Sequence, residues 1–232
     1  MNTETINDYL LELVKETSIE LLKINLDNPN DRKTRLKFPK YRNGKKRISE
    51  QELRFVMTHL LSSEFYYSIE TPTLEKYSFS ERGERSAATD LSVYHNDLKI
   101  LNIELKAHNP GQKSIDKDIE KLVREDCNGA WVHLLVSERS DSVEALFKKF
   151  IKAFENKHSK RPISFHILIL DTMTLLSRKG KNNERDYSNN IFNINYSHWK
   201  NLNPGTYQYL NGEPILDQSI ENDWQINKFS IK

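Results

Sequence analysis

The sequence contains little cysteine or glycine and no long apolar run, and each of these absences excludes a class of protein. It contains one cysteine, Cys127, which excludes an internal disulfide and is typical of a reducing cytoplasm. Only 7 of its 232 residues are glycine, and neither a glycine-rich phosphate loop nor a dinucleotide-binding motif is present. No apolar run approaches membrane-spanning length, and the polar, acidic start does not resemble a signal peptide. We therefore expect a cytoplasmic protein without a membrane segment.

Acidic residues are missing from residues 32–47, although the whole chain carries 35 basic and 33 acidic residues. This segment holds lysines and arginines with two aromatic residues between them: Arg32, Lys33, Arg35, Lys37, Phe38, Lys40, Tyr41, Arg42, Lys45, Lys46 and Arg47. Such a segment attracts phosphate backbones non-specifically, and its aromatic side chains could stack on bases. A solvated basic loop is an equally good interpretation. We take Lys45 and Lys46 as candidate nucleic-acid-binding residues.

Residues 88–107 show the period of two that is typical of half-buried strands. A tight turn in the middle of this stretch would join two antiparallel strands. Matching their apolar residues sets Leu91 opposite Ile103 and Val93 opposite Leu101. A slip of one residue would turn one apolar set outward, so the sequence predicts this register.

The predicted register brings two acids together. With a three-residue loop at Asn96–Leu98, Asp90 lies opposite Glu104 on the polar face, and their Cβ atoms are about 5 Å apart. Two carboxylates that close require a cation, and a hard divalent ion with oxygen ligands is the natural one. Lys106 lies on the same face as Glu104, because side chains two residues apart on a strand share a face.

Asp90 on one strand and Glu104-Leu105-Lys106 on the next resemble the motif of the PD-(D/E)XK nuclease superfamily. The resemblance implies that Asp90, Glu104 and the backbone carbonyl of Leu105 hold Mg²⁺ or Mn²⁺. It further implies that Lys106 orients the attacking water and stabilises negative charge on the phosphoryl oxygens. The expected chemistry is metal-dependent hydrolysis of a phosphodiester bond.

The resemblance covers residues 49–170 and departs from the family motif at Thr89, where the family name has proline. A Glu-x-Lys run alone carries little information, since Glu155-Asn156-Lys157 repeats it at the end of a helical pattern. An edge hairpin with a solvated charged face is therefore the alternative interpretation of residues 88–107.

A helix is predicted over residues 48–62. Ser49 and Glu52 have the spacing of a capping box, which gives Glu52 a structural role. Glu50 lies nearer the buried stripe of this helix, and nucleases of the superfamily commonly carry an extra acid on the helix before the first strand. The resemblance therefore assigns that catalytic role to Glu50, with Glu52 as the alternative.

Three further basic residues are candidates for contacts with nucleic acid. Arg82 and Arg85 belong to a predicted loop, residues 73–87, just ahead of the first acid, and could hold the substrate backbone. Lys117 lies on a helix expected to begin at Ser114, and the superfamily often directs a lysine from this helix toward the phosphates. A simple connecting loop and a solvated helix face are the alternatives.

The periodicity predicts an α/β fold with a mixed β-sheet flanked by helices, in the order αβββαβ. This order resembles the restriction-endonuclease-like core of the PD-(D/E)XK superfamily. Residues 1–47 are expected to form an N-terminal helix and basic loop, and residues 48–176 the nuclease-like core. Residues 177–232 form a C-terminal extension whose sequence gives no clear period.

The resulting hypothesis is a stand-alone metal-dependent endonuclease with a restriction-like or phage-defence role, acting on DNA in preference to RNA. Since one active site cuts one strand, cleavage of a duplex would favour a homodimer. The alternative is a catalytically silent nuclease-fold protein that binds nucleic acid or a protein partner. Loss of metal-dependent cleavage on replacement of Asp90 separates the two.

Overall fold

The structure is a computed structural model that describes residues 1–27, 32–77, 85–137, 142–187, 191–192, 216–219 and 221–229. The helices are Thr3–Asn25 (α1), Glu50–Leu60 (α2), Gln112–Arg124 (α3) and Ser142–Phe154 (α4). The strands are Tyr66–Tyr77 (β1), Arg85–His95 (β2), Leu98–Ala107 (β3), Asn128–Leu135 (β4), Ile163–Ile169 (β5), Thr174–Arg178 (β6), Leu216–Ser219 (β7) and Gln225–Lys228 (β8).

The described strands form one mixed sheet in the order β1-β2-β3-β4-β5-β6-β8-β7. The central strands β3, β4 and β5 are parallel, and the remaining neighbours pair antiparallel. The parallel strands β4 and β5 are buried along their whole length, as expected for strands covered on both faces. The predicted α/β class, with a mixed sheet flanked by helices, is confirmed.

Two apolar cores lie on opposite faces of this sheet. Helices α1 and α2 pack with Leu91, Ile103 and Leu105 in one core. Helices α3 and α4 pack in the other core against alternate residues of β4 and β5, including Trp131 and Phe165. The polar residues of β3, which alternate with its apolar set, therefore face α3.

Helix α2 begins as the capping-box pattern predicts. The backbone N–H of Ser49 donates to Oε2 of Glu52 at 2.8 Å, and the Ser49 hydroxyl accepts from the N–H of Gln51. The ring of His108, just after β3, lies with Nε2 2.6 Å from the carbonyl oxygen of Ile48. The start of α2 is thus held at the end of β3.

The predicted register of β2 and β3 is confirmed, since Leu91 pairs with Ile103 and Val93 with Leu101. The predicted three-residue loop is wrong. A two-residue turn, Asn96–Asp97, joins the strands, and both residues have positive φ, as a type I′ turn requires. The turn is one residue shorter than predicted, and β3 carries one extra residue, a bulge, between the partners of Val93 and Tyr94. The two differences cancel, so the pairing of Leu91 with Ile103 is as predicted.

The strands that lead to the site are longer than predicted. Strand β1 continues to Tyr77 and β2 begins at Arg85, where the sequence predicts a loop. A buried carboxylate explains the extension of β1, because Glu125 accepts hydrogen bonds from the backbone N–H groups of Leu74 and Glu75. Helix α3 begins at Gln112 rather than at Ser114.

The element order from α2 to β4 is helix, three strands, helix, strand, as the sequence predicts. Whether this core is restriction-endonuclease-like remains a prediction. Residue 176, the predicted end of the nuclease-like core, lies within strand β6. Strand β8, from the predicted C-terminal extension, pairs with β6 in the same sheet. None of the helices in the described residues is long and apolar enough to cross a membrane.

Candidate active site

Strands β2 and β3 bring Asp90 and Glu104 to one place. Because Leu91 pairs with Ile103, Asp90 lies at the next position along β2, opposite Glu104. The carboxylate of Asp90 is fixed by the backbone of β3, since its Oδ2 accepts the N–H of Leu105 at 2.8 Å. Asp90 is therefore held against the Glu104-Leu105-Lys106 run, as the sequence predicts.

Lys106 is a buried cation within this group. Its Nζ lies 2.8 Å from Oδ2 of Asp118 and 3.7 Å from Oδ2 of Asp90, and it donates to the carbonyl of Leu105 at 3.1 Å. Burial lowers the pKa of Lys106, but the charges of Asp118 and Asp90 outweigh it and raise the pKa above its usual value. Lys106 is therefore protonated at neutral pH and serves as a charge and a donor, not as a general base.

Glu104 is completely buried, and only one of its two carboxylate oxygens has a partner among the described residues. Its Oε2 lies 2.6 Å from Nζ of Lys121, whereas its Oε1 has no hydrogen-bond partner among the described residues. Burial raises the pKa of Glu104 well above its usual value, and the charges of Asp118 and Asp90 raise it further, against the opposing effect of Lys121. A buried carboxylate oxygen without a donor is an uncommon and unfavourable arrangement.

Two residues of α3, Asp118 and Lys121, complete the group and were missed by the sequence analysis. Asp118 lies between the two lysines, because its other oxygen is 2.8 Å from Nζ of Lys121. Burial raises the pKa of Asp118, but Lys121 and Lys106 outweigh it and lower the pKa overall. The expected residue of this helix, Lys117, is exposed, and Lys121 one turn later reaches Glu104 instead.

A signal for Asp118 was present in the sequence. It lies three residues after Ile115 and four before Leu122, so it falls inside the apolar stripe of α3. A charged residue at such a position is buried only with a partner. The identity of that partner depends on the packing of α3 against β3, which the sequence alone does not give.

The structure brings Glu50, and not Glu52, toward the group. Burial raises the pKa of Glu50, with Asp90 and Asp118 adding to the rise, while Lys106 and the backbone N–H of Ala107 oppose it. Glu52 is engaged in the capping box described above.

Arg54, one turn after Glu50 on α2, also contacts the group and was not anticipated. One guanidinium nitrogen, NH2, lies 3.3 Å from Oδ1 of Asp90 and 2.9 Å from Oε1 of Glu70 on β1. The Arg54 side chain is largely buried, whereas that of Glu70 is mostly exposed. Both oxygens of Asp90 therefore face donors: one faces Arg54 and the other faces the backbone of β3.

The ionised group carries more negative than positive charge. It contains four carboxylates and three cations: Glu50, Asp90, Glu104 and Asp118, with Arg54, Lys106 and Lys121. This excess of one negative charge adds to burial, which is the main cause of the raised pKa values of Glu50 and Glu104. The site can accept a further positive charge.

The residues fit a hard divalent cation. The available ligands are all oxygen atoms, from the carboxylates of Asp90 and Glu104 and the carbonyl of Leu105, and this is the set that Mg²⁺ and Mn²⁺ prefer. The Oε1 atom of Glu104, which has no hydrogen-bond partner among the described residues, is available as a ligand. Across the described residues, however, no three Asp, Glu, His or Cys side chains are arranged as a preformed metal cage. A cation would therefore have to share these ligands with the basic residues beside them.

The other candidate basic residues are distributed over several surfaces. Lys45 is exposed on a short hairpin, whereas Lys46 forms an ion pair with Asp27 at 3.1 Å and donates to the carbonyl of Asn25. Arg82 lies outside the described residues, and so does the side chain of Arg85, whose backbone begins β2.

Comparisons of the chain with protein-family models, with curated proteins and with solved structures found no match.

Proposed function

We propose that this chain is a metal-dependent nuclease that hydrolyses phosphodiester bonds of nucleic acid, DNA in preference to RNA, in a stand-alone restriction-like or phage-defence role. The observation that supports the proposal most strongly is the meeting of Asp90, Glu104 and Lys106 on adjacent strands, with a buried carboxylate oxygen of Glu104 left unpartnered. Proteins seldom retain such an oxygen for stability, and perturbed acids cluster at functional sites.

The proposed roles follow from the contacts of each residue. Asp90, Glu104 and the Leu105 carbonyl would hold Mg²⁺ or Mn²⁺, which when bound would polarise the phosphate and lower the pKa of a water. Lys106, kept protonated by Asp118, would hold that water or a phosphoryl oxygen by charge-assisted hydrogen bonds. Glu50, whose pKa is raised by burial, would accept a proton from the water.

The basic segment supplies a surface for the nucleic-acid backbone. Exposure alternates along residues 33–38, so Lys33, Arg35 and Lys37 face solvent while Thr34 and Phe38 are buried. Lys33 forms an exposed ion pair with Glu16 at 2.9 Å. Arg35 and Lys37 have no acidic partner among the described residues. Because the segment leads into α2 and Glu50, a strand bound along it would be led toward the site.

A second function has specific support as well. The cation of Lys121 lies 2.6 Å from Glu104 and that of Arg54 lies 3.3 Å from Asp90, so both acids already have protein counter-ions. A nuclease-fold protein that has lost its metal would keep its acids neutralised in this way. Such a protein would bind nucleic acid or a protein partner without cleaving it.

Cleavage assays separate the two functions. The purified chain would be incubated with linear duplex DNA, single-stranded DNA and RNA, in Mg²⁺, in Mn²⁺ and in EDTA. We expect cleavage only with metal, and a loss of at least about a hundredfold in Asp90→Asn, since removing one electrostatic group from a hydrolytic site typically has that effect. Asp97→Asn, the same change at the turn of the same hairpin, should cleave like the wild type.

The result that contradicts the nuclease is binding without cleavage of all three substrates in both metals. If cleavage of duplex DNA is seen, sedimentation of the chain with an uncleavable duplex tests the expected homodimer.

The basic surface has its own test. Arg35→Ala together with Lys37→Ala should weaken nucleic-acid binding and reduce the slope of log affinity against log salt by about two, because each phosphate contact contributes roughly one counter-ion. Lys148→Ala, at an exposed lysine of α4 paired with Glu144 at 2.6 Å, should leave that slope within about half a unit of the wild type. Equal slopes in the wild type and the double variant would show that Arg35 and Lys37 do not contact the nucleic-acid backbone.

A further inference from the structure

Arg54 lies at the carboxylate oxygen of Asp90 that the backbone of β3 leaves free. Its NH2 lies 3.3 Å from Oδ1 of Asp90, and the opposite oxygen is engaged by the backbone of Leu105. A guanidinium and a divalent cation on the same carboxylate oxygen repel each other strongly, because the Arg54 side chain is shielded from water. The arginine and a metal would therefore compete for Asp90.

A second acceptor for Arg54 lies on the other side of Asp90. Strand β1 pairs Ile69 with Leu91 and Thr71 with Thr89, which leaves Glu70 opposite Asp90 between them. The same NH2 group of Arg54 is closer to Glu70, at 2.9 Å, than to Asp90. Arg54 thus bridges two carboxylates on neighbouring strands and could keep one contact while losing the other.

The backbone of β1 is distorted at this residue. Glu70 has a φ of 49°, in the left-handed region that residues with a Cβ atom rarely adopt within a strand. Such strained residues persist where the surrounding structure holds them, and they cluster at functional sites. The unusual backbone conformation occurs at Glu70, the residue that forms the ion pair with Arg54.

We propose that Arg54 and Glu70 form a cation switch at the metal site proposed above. Without a divalent cation, Arg54 is the counter-ion of Asp90, and when one is present Arg54 withdraws to Glu70. Glu70 is then a positioning residue that acts through Arg54, and Arg54 sets how tightly the site holds metal. The site would remain neutralised at low metal concentration and would be completed only when metal is abundant.

A purely structural role for Arg54 has the opposite consequence. If Arg54 only orients Asp90, its removal leaves the carboxylate poorly placed and weakens metal binding. If Arg54 competes with the metal, its removal strengthens binding. Metal affinity without nucleic acid therefore distinguishes the two roles and needs no activity.

The test is calorimetric titration of the full chain with Mn²⁺, checked by the loss of the free Mn²⁺ signal in electron paramagnetic resonance. We expect Arg54→Met to bind Mn²⁺ about tenfold more tightly than the wild type, since a like charge next to the ion is removed. Glu70→Gln should bind about threefold more weakly, because Arg54 then has Asp90 as its remaining partner. Arg161→Met removes a cation from the exposed Arg161–Asp126 pair and should bind like the wild type.

The double variant Arg54→Met with Glu70→Gln makes the test specific. If Glu70 acts through Arg54, the double variant should bind as tightly as Arg54→Met, so the two changes are not additive. A further loss of affinity in the double variant, equal to that in Glu70→Gln alone, would overturn the switch. Thermal unfolding of each variant checks that it is folded, and Glu70→Gln, at a mostly exposed side chain, provides a test that does not depend on the stability of Arg54→Met.

The outcomes also separate this proposal from the nuclease itself. Mn²⁺ binding by the wild type without tighter binding by Arg54→Met would overturn the switch and leave the metal site standing. Binding by Arg54→Met but not by the wild type would support the switch in its strongest form. No binding by any variant would overturn both proposals.

Discussion

Glu104 and Glu125 are equally buried, at 0% and 1% exposure, but the protein surrounds them very differently. Glu125 receives four donors: Lys99, the hydroxyl of Tyr77, and the backbone N–H groups of Leu74 and Glu75. Burial raises its pKa, but these hydrogen bonds outweigh the effect and lower the pKa overall. Glu104 has one donor among the residues that the structure describes, Lys121, and its pKa is raised well above the usual value.

The difference separates two uses of a buried carboxylate. The carboxylate of Glu125 joins the end of α3 to the distal half of β1, and each of its oxygens is used by the fold. The carboxylate of Glu104 keeps one oxygen unused at the cost of an unfavourable desolvation. Burial alone therefore does not distinguish the two acids, whereas the missing donors do, and this difference is the basis for proposing a functional role for Glu104.

The largest expected difference between the two acids is in metal binding. Glu104→Gln should abolish Mn²⁺ binding and lower cleavage by about a thousandfold, because a charged ligand is lost at the proposed site. Glu125→Gln, the same change at the structural acid, should keep the Mn²⁺ affinity of the wild type. Calorimetric titration of both variants checks this, and equal loss in both would remove the distinction.

The lysines paired with the two acids should differ in their effect on the free energy of unfolding. Lys121→Met leaves Glu104 without a donor and should destabilise the chain by about 3 kcal/mol, the usual result of breaking a buried ion pair. Lys99→Met leaves Glu125 with three donors and should cost about 1 kcal/mol. Urea unfolding at pH 7 measures both, and equal costs would contradict the comparison.

The smallest effect, and the one that tests the sign of the pKa shifts, is the pH dependence of stability. The lowered pKa of Glu125 stabilises the fold above about pH 4.3, its unfolded value, and this contribution is lost as the pH falls through the folded pKa. The raised pKa of Glu104 works in reverse. Its contribution to stability is fully present below about pH 4.3 and is lost as the pH rises toward the folded pKa, because the unfolded state releases its proton first.

Paired measurements isolate these contributions. The stability of the wild type relative to Glu125→Gln should grow as the pH rises from the folded pKa of Glu125 to about 4.3, its unfolded value, whereas the stability of the wild type relative to Glu104→Gln should fall from about pH 4.3 upward. Urea unfolding at closely spaced pH values gives both curves. Slopes of the same sign would show that the two carboxylates have similar surroundings.

Much of the geometry at the centre of the site could be predicted from the sequence, because it depends on local alternation. The apolar residues of β2 and β3 match in one register, and that register alone brings Asp90 to Glu104. The capping box likewise assigned Glu52 to the start of α2 and left Glu50 for the site. Both features are decided within a few residues of the chain.

The rest of the site could not be predicted, because it depends on packing between distant elements. Asp118 and Lys121 enter through the packing of α3 on β3, and Arg54 through the position of α2 relative to β2. The ion pair of Lys46 with Asp27 is likewise a tertiary contact that the sequence alone does not give. A helical wheel gives the face of each charge but not the residue that it meets.

The bulge in the β2–β3 hairpin has a consequence for tolerance to changes in chain length. Residues 98 and 99 pair with residues 95 and 94, and Leu101 pairs with Val93, so Ile100 is the residue without a partner across the hairpin. Deleting Ile100 would give a regular hairpin with the same pairs on either side, and the pairing at Leu91 and Ile103 would not move. The tip of this hairpin can therefore lose a residue while the spacing of the two acids behind it is kept.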